Sequence, residues 1–229
     1  MAQRTRPLSL PWALARLAVS LVLGYLVACA LLLVAYRWIE PPATTVQVQR
    51  AIEAAIAAEP YDVLYAPVDQ SRQSESIRHA VVASEDGRFY THGGFDWEEL
   101  RIARETAQRT GRPMRGASTI SQQLVKNLFL TTHRSVVRKA FEVPLTYLAE
   151  WILGKDRILT LYLDVAEWGP GVFGIEAAAH HHYGTTAAAL TRDQAARLTA
   201  ILPAPLVRRP QDQDRTSARI QTRMRQMGW

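Results

Sequence analysis

HAVVASEDGRFYTHGGFDW, residues 79–97, is the stretch that decides the fold. An apolar run with helical spacing ends on two adjacent carboxylates, and an aromatic, a histidine and two glycines follow at once. Ile77, Val81, Glu85 and Phe89 recur every four residues, so a helix here places Glu85 on its apolar stripe. That is a costly position for a carboxylate. Val81 and Val82 before it and Phe89 after it would partly desolvate it and push its pKa upward, which suits a proton acceptor near neutral pH. Asp86 is rotated by about 100° from Glu85 and is placed to bond the His92-Gly93-Gly94 turn. A plain ion pair between Glu85 and Arg88 is the alternative use of the same carboxylate.

From Ser74 onward the pattern is helix after helix, broken at Gly93-Gly94, between Gly111 and Gly116, at Gly154, and at Gly169, Gly171 and Gly174. YDVLYAPV, residues 61–68, has mixed spacing and reads as a short strand or an extended connector. No alternating strand series and no repeat interrupts the pattern, so a mainly α fold is expected. A chain of 229 residues suffices for one sizeable domain plus appendages.

The first appendage is LAVSLVLGYLVACALLLVAY, residues 17–36, twenty residues without a charge. That length matches the hydrocarbon core of a bilayer. Its one small-x-small match, Ala28-Cys29-Ala30, lies inside the apolar run, which favours a retained membrane helix over a cleaved signal peptide. Arg4, Arg6 and Arg16 precede the run and only Arg37 follows it closely, which predicts a cytoplasmic N-terminus. The expected organisation is a cytoplasmic segment 1–16, a transmembrane helix 17–37, a linker and juxtamembrane helix 38–60, a catalytic domain 61–205 and a basic segment 206–229, the last read as a solvated helix face. The net charge of +6 favours an anionic partner: nucleic acid, lipid head groups or a phosphate-bearing substrate. The single cysteine, Cys29, leaves the redox compartment undetermined.

Three further stretches carry candidate chemistry. In GASTISQQLVKNLFL, residues 116–130, Thr119 and Gln122 have capping-box spacing, so a helix starts near Thr119. Its apolar face is Ile120, Leu124, Val125 and Leu128; Gln122, Gln123, Lys126 and Asn127 form a polar stripe suited to hydrogen bonding, or an ordinary surface face. In HRSVVRKAFEVP, residues 133–144, Arg134, Arg138 and Glu142 are four apart and read as one helical face, with Lys139 three residues before Glu142. These are ion pairs within the helix, or a carboxylate inside a cationic cluster able to hold phosphate oxygens. The three lysines of the chain, Lys126, Lys139 and Lys155, all fall in this region. Residues 155–184 read as an amphipathic helix, a glycine-rich turn and a small-residue helix through Ala177–Ala179, an architectural unit. The consecutive His180, His181 and His182 point in different directions on a helix and cannot converge on one metal ion.

Together these stretches resemble the monofunctional biosynthetic peptidoglycan transglycosylases of glycosyltransferase family 51, from about Tyr61 to Leu202. EDGRFYTHGG fits that family's E-D-x-x-F-x-x-H-x-G, GASTISQQLVKN its G-x-S-T-I-x-Q-Q-L-x-K-N, RKAFE its R-K-x-x-E, and AEWGPGVFG looks like the monofunctional branch. The resemblance implies a mainly α, lysozyme-like transglycosylase domain behind a single N-terminal transmembrane helix, with a cleft open to the membrane. It implies that Glu85 is the general base deprotonating the acceptor's N-acetylglucosamine 4-hydroxyl, and that undecaprenyl pyrophosphate leaves with inversion. By the same resemblance Glu142 would take the second catalytic position near the donor pyrophosphate, Lys126 and Arg134 would bind the leaving group, and Gln122 and Gln123 would line the cleft. Asp86, Ser118, Thr119 and Lys139 complete the expected substrate-binding set, with the helix N-terminus at Thr119 as an anion site. The implied partners are lipid II, the nascent glycan and the bilayer, with penicillin-binding or division proteins as further candidates and no nucleic acid. No cofactor is firmly implied; a divalent cation, Mg or Mn, assisting the pyrophosphate is the one candidate. The implied location is the cell inner membrane, with the catalytic domain outside the cytoplasm.

Asp164 stands where the family usually has asparagine, and HHHYG replaces a more aromatic ending, which puts local hydrogen bonding in question rather than the reaction. Residues 109–115 carry no assigned site. Two rivals remain: a lytic enzyme of the same fold class, and a membrane-anchored scaffold without activity. A bifunctional penicillin-binding protein is excluded for this chain by its length and its lack of any Ser-x-x-Lys.

Overall fold

A computed structural model of the chain describes residues 10–111, 116 and 118–229. Its elements are α1 (Leu10–Ala35), α2 (Thr45–Ala57), β1 (Leu64–Tyr65), α3 (Glu75–Glu85), α4 (Trp97–Thr110), α5 (Ile120–Phe129) and α6 (Val136–Leu153). They continue with α7 (Lys155–Val165), β2 (Glu167–Gly169), β3 (Val172–Phe173), α8 (Ile175–Tyr183), α9 (Arg192–Ile201) and α10 (Asp214–Gln226). The mainly α expectation holds. Arg4 and Arg6, and most of the expected segment 1–16, lie outside the described residues.

α1 starts seven residues before the expected span and ends two before its expected end. Pro11 falls in its first turn, where the missing N–H is not needed, so nothing stops the helix from extending back to Leu10. At 26 residues it is about 39 Å long, and it is apolar enough to cross a membrane. Leu14, Leu17, Leu21 and Leu31 are exposed, whereas Cys29 and Leu33 are buried. The lower half of the helix docks on the domain: Tyr25 donates its hydroxyl to Phe129 O at 2.6 Å, and the Tyr36 ring stacks on Phe129. Arg157 of α7 clamps the chain just after the helix, donating to Tyr36 O, Ile39 O and the Glu40 carboxylate.

Around the core, α5 packs on α6 and α7, and α3 packs on α9 and α10. Trp168, Tyr162, Phe89, Ile120, Leu124, Leu145 and Leu159 are fully buried at its centre. The glycine-rich segment expected as a turn is a β-hairpin of β2 and β3, and β1 joins β3 in parallel, so Leu64–Tyr65 is a strand. Two of its glycines are required by geometry. Gly171 (φ +72°) and Gly174 (φ +86°) would bring a Cβ to 2.3 Å from Asp62 O and 2.7 Å from Asp164 O.

The basic segment 206–229 is not a separate solvated tail. Ser217, Ile220 and Met224 of α10 are buried against α3 and α9, because they recur on one face among the arginines. α10 is therefore part of the same domain.

Candidate active site

Glu85 is the last residue of α3, a helix begun by the Ser74 side chain accepting from Ile77 N. Ile77, Val81 and Val82 are buried below it, while Glu85 keeps part of its surface open. Gln123 Nε2 donates to Glu85 Oε2 at 3.1 Å, and Ser84 Oγ donates to Oε1 at 3.4 Å. Burial pushes the Glu85 pKa up; the Gln123 and Ser84 hydrogen bonds and the Lys126 charge oppose this in part, and the Asp86 charge adds to it. The Glu85–Arg88 ion pair is not formed, since Arg88 pairs with Asp96 at 3.3 Å.

Asp86 is buried and faces inward rather than toward a ligand. Gly94 N donates to His92 Nδ1, so His92 carries its proton on Nε2 and donates it to Asp86 at 2.9 Å. Asp86 Oδ2 also accepts from Ile120 N, the first amide of α5, at 3.0 Å. The helix N-terminus expected as an anion site is thus already occupied by the protein's own carboxylate. Thr119 is buried as the cap of α5 in a full capping box with Gln122, and its hydroxyl donates to Gly94 O at 2.6 Å. Asp86 and Thr119 are struts that hold the end of α3 against the start of α5. Ser118, just before them, is exposed.

The polar stripe of α5 serves two carboxylates. Gln123 faces Glu85, while buried Gln122 donates Nε2 to Glu142 Oε1 at 3.0 Å. Lys126, partly accessible, stands among Glu85, Glu142 and Glu167; burial lowers its pKa, the Arg138 charge lowers it further, and the three carboxylates counteract. Asn127 is buried, so this stripe is not a solvated face.

Glu142 is only 2% exposed and is held by Arg138 at 3.0 Å and by Lys139 in addition to Gln122. Arg134 does not share its face: Ser135 accepts from Arg138 N as the α6 cap, so the helix begins after Arg134, which lies exposed in the preceding loop. Its place on the stripe belongs to Arg138. The buried Arg138 Nε has no partner among the described residues.

Two side chains at the site escaped the sequence reading. Glu167 on β2 is buried beside Lys126 and held by Arg50 of α2 through both its oxygens, at 3.1 and 3.2 Å from Nε. Tyr162 of α7 donates to Gln123 Oε1 at 2.9 Å. Only long-range contacts reveal them. A cavity of about 570 Å³ lined by Arg37, Asp69, Lys155, Asp156 and Arg157 contains none of these groups.

The family model described as Transglycosylase matches residues 54–228, α10 included. The chain belongs to the transglycosylase family. Curated relatives named biosynthetic peptidoglycan transglycosylase agree. The Pseudomonas aeruginosa protein is 42% identical over 185 residues, covering 81% of this chain and 79% of its own length. The Bordetella pertussis protein is 47% identical over 178 residues, covering 76% and 74%. Transglycosylase membership spans α2 to α10 and so encloses Glu85, Gln123, Lys126 and Glu142 in one family unit.

Proposed function

We propose that this transglycosylase polymerises peptidoglycan glycan strands from lipid II at a membrane surface. The observation that carries this is the pairing of a partly open, desolvated carboxylate, Glu85, with a cationic group of Lys126, Arg138 and Lys139 gathered around Glu142. Glu85 takes the proton from the acceptor's 4-hydroxyl; the oxygen attacks the donor's anomeric carbon from the face opposite the pyrophosphate, and that C–O bond breaks with inversion. Lys126 and Arg138 neutralise the departing charge. Glu142 acts as the post that fixes Gln122, Arg138 and Lys139. Exposed Ser118, Arg134 and Lys139 are assigned in this reading to contacts with the sugar and pyrophosphate.

Among the described residues, one cluster brings enough carboxylate and imidazole ligand atoms together for a divalent cation. Asp86, His92 and Asp96 offer ligand atoms within 4.8 Å of one another, but Asp86 is taken by His92 and Ile120 N, and Asp96 by Glu99 N and Arg88. That donor set fits an internal network, and the mechanism runs through the side-chain cations.

The apolar α1 and the excess of arginines before it support an inner-membrane anchor with a cytoplasmic N-terminus and the cleft on the outer side, where a lipid-linked substrate stays in the bilayer. The test is to incubate the detergent-solubilised protein with labelled lipid II and, separately, with purified peptidoglycan. Polymer from lipid II is the expected result. Soluble fragments from peptidoglycan without polymer would establish the lytic enzyme, and no product from either would establish the scaffold.

A further inference from the structure

Tyr162 is fully buried in the middle of α7, and its hydroxyl has no part in the mechanism described so far. The hydroxyl donates to Gln123 Oε1 at 2.9 Å, and Gln123 Nε2 donates to Glu85 Oε2 at 3.1 Å. An amide side chain can turn over and exchange its oxygen with its NH2. In this chain of three the two orientations are not equivalent. A buried hydroxyl must donate and an ionised carboxylate can only accept. One orientation satisfies both contacts; the other sets O–H against NH2 and oxygen against oxygen.

The geometry points to Tyr162 as a positioning residue of the active site: its hydroxyl fixes the Gln123 amide so that the NH2 faces Glu85. This rests on the reading of Glu85 as the base. Burial, with the Glu85 charge adding, holds the Tyr162 phenol well above its ordinary pKa, so it remains a donor throughout the working range. The fixed NH2 favours the ionised carboxylate and opposes burial. The other groups acting on Glu85 are Ser84 and Asp86 from α3 and Lys126 from α5; Arg138 and Glu142 from α6 and Glu167 from β2 act in turn on Lys126. Tyr162→Phe leaves each of them in place and removes one oxygen.

The experiment is the pH dependence of kcat/KM for lipid II polymerisation, from about pH 5 to about pH 9, for wild type and Tyr162→Phe. Alongside it, the Glu85 carboxyl is titrated by 13C NMR in detergent, its signal assigned by its absence from Glu85→Gln. The acid limb is expected to move up by about one pH unit, a roughly tenfold loss of kcat/KM below the limb, with the alkaline plateau within about threefold of wild type. The NMR titration moves with it. Gln123→Ala gives the same shift, and adding Tyr162→Phe to it gives none further. Tyr65→Phe, which removes another internal hydroxyl donor, one that bonds Pro41 O, leaves both readouts unchanged. An equal loss at every pH, or an unmoved limb and titration in Tyr162→Phe, would overturn the assignment. Should wild type make no polymer, the glycan-transfer reading fails, while the NMR titration still decides the role of Tyr162.

Discussion

Replacing Asp164 with asparagine should remove a pH-dependent weakness of the fold. Asp164 is fully buried in α7; Gln73 Nε2 donates to Oδ1 at 3.2 Å, and Oδ2 has no partner among the described residues. Burial, with the Glu40 charge adding, raises its pKa from 3.8 to about 8. The folded state therefore keeps a proton that the unfolded chain releases near 3.8. Stability from this group is complete below that value and is lost as pH rises toward about 8, by about 1.4 kcal/mol per unit. Between about pH 5 and about pH 7 the loss is about 3 kcal/mol, an upper figure, or on the order of 8 °C in Tm for a chain of this size. The asparagine side chain does not titrate and has no such dependence, although its extra N–H, facing the unpartnered side, costs about 1–3 kcal/mol at every pH. Thermal unfolding of the two proteins followed by circular dichroism across that range should show the Tm of Asp164→Asn rising relative to wild type with pH. A Tm difference that stays constant would refute the reasoning. An aspartic acid held neutral thus fits in shape and charge the position where the resemblance leads one to expect asparagine.

Gly174→Ala should destabilise the protein by at least about 2 kcal/mol, because a positive φ alone costs about 1–2 kcal/mol and the new Cβ would meet Asp164 O at 2.7 Å. Thermal unfolding measures this, and a Tm within a degree or so of wild type would contradict the backbone geometry. Lys126→Ala should leave the fold intact and lower kcat for polymerisation by roughly 10²-fold, since the proposed mechanism loses one preorganised cation beside Glu85 and Glu142. Steady-state kinetics with lipid II and a circular dichroism spectrum check both halves of that statement.

What was legible in the sequence was local. The capping box of Thr119 and Gln122 lies within four residues, as does the Glu142 contact with Arg138 and Lys139, and both are formed as spacing predicts. Glu85 could be placed on a buried stripe because Ile77 and Val81 at helical spacing fix the face, although α3 ends at Glu85 and Phe89, expected one turn on, lies in the turn beyond it. The bond from Asp86 to His92 spans six residues and was equally readable. Arg134 was misplaced because the run RSVVRK fits helical spacing from either end, and only the Ser135 cap decides where the helix begins. Gln122 to Glu142, Tyr162 to Gln123 and Arg50 to Glu167 join residues 20, 39 and 117 apart, distances at which no periodicity carries a signal. The arginines of α10 masked its buried stripe of Ser217, Ile220 and Met224 by dominating the composition. The occupied N-terminus of α5 was missed for a related reason: spacing locates a helix end, but not the carboxylate from another element that fills it.

The most direct measurement is the rate of lipid II polymerisation by Glu85→Gln beside wild type, with Tm and circular dichroism establishing that both are folded. Glutamine keeps the shape of the side chain and cannot accept the proton, so polymerisation should fall by about 10²-fold or more, to the limit of detection. A folded Glu85→Gln protein that polymerises at the wild-type rate would contradict the assignment of the base, and with it the mechanism built around it.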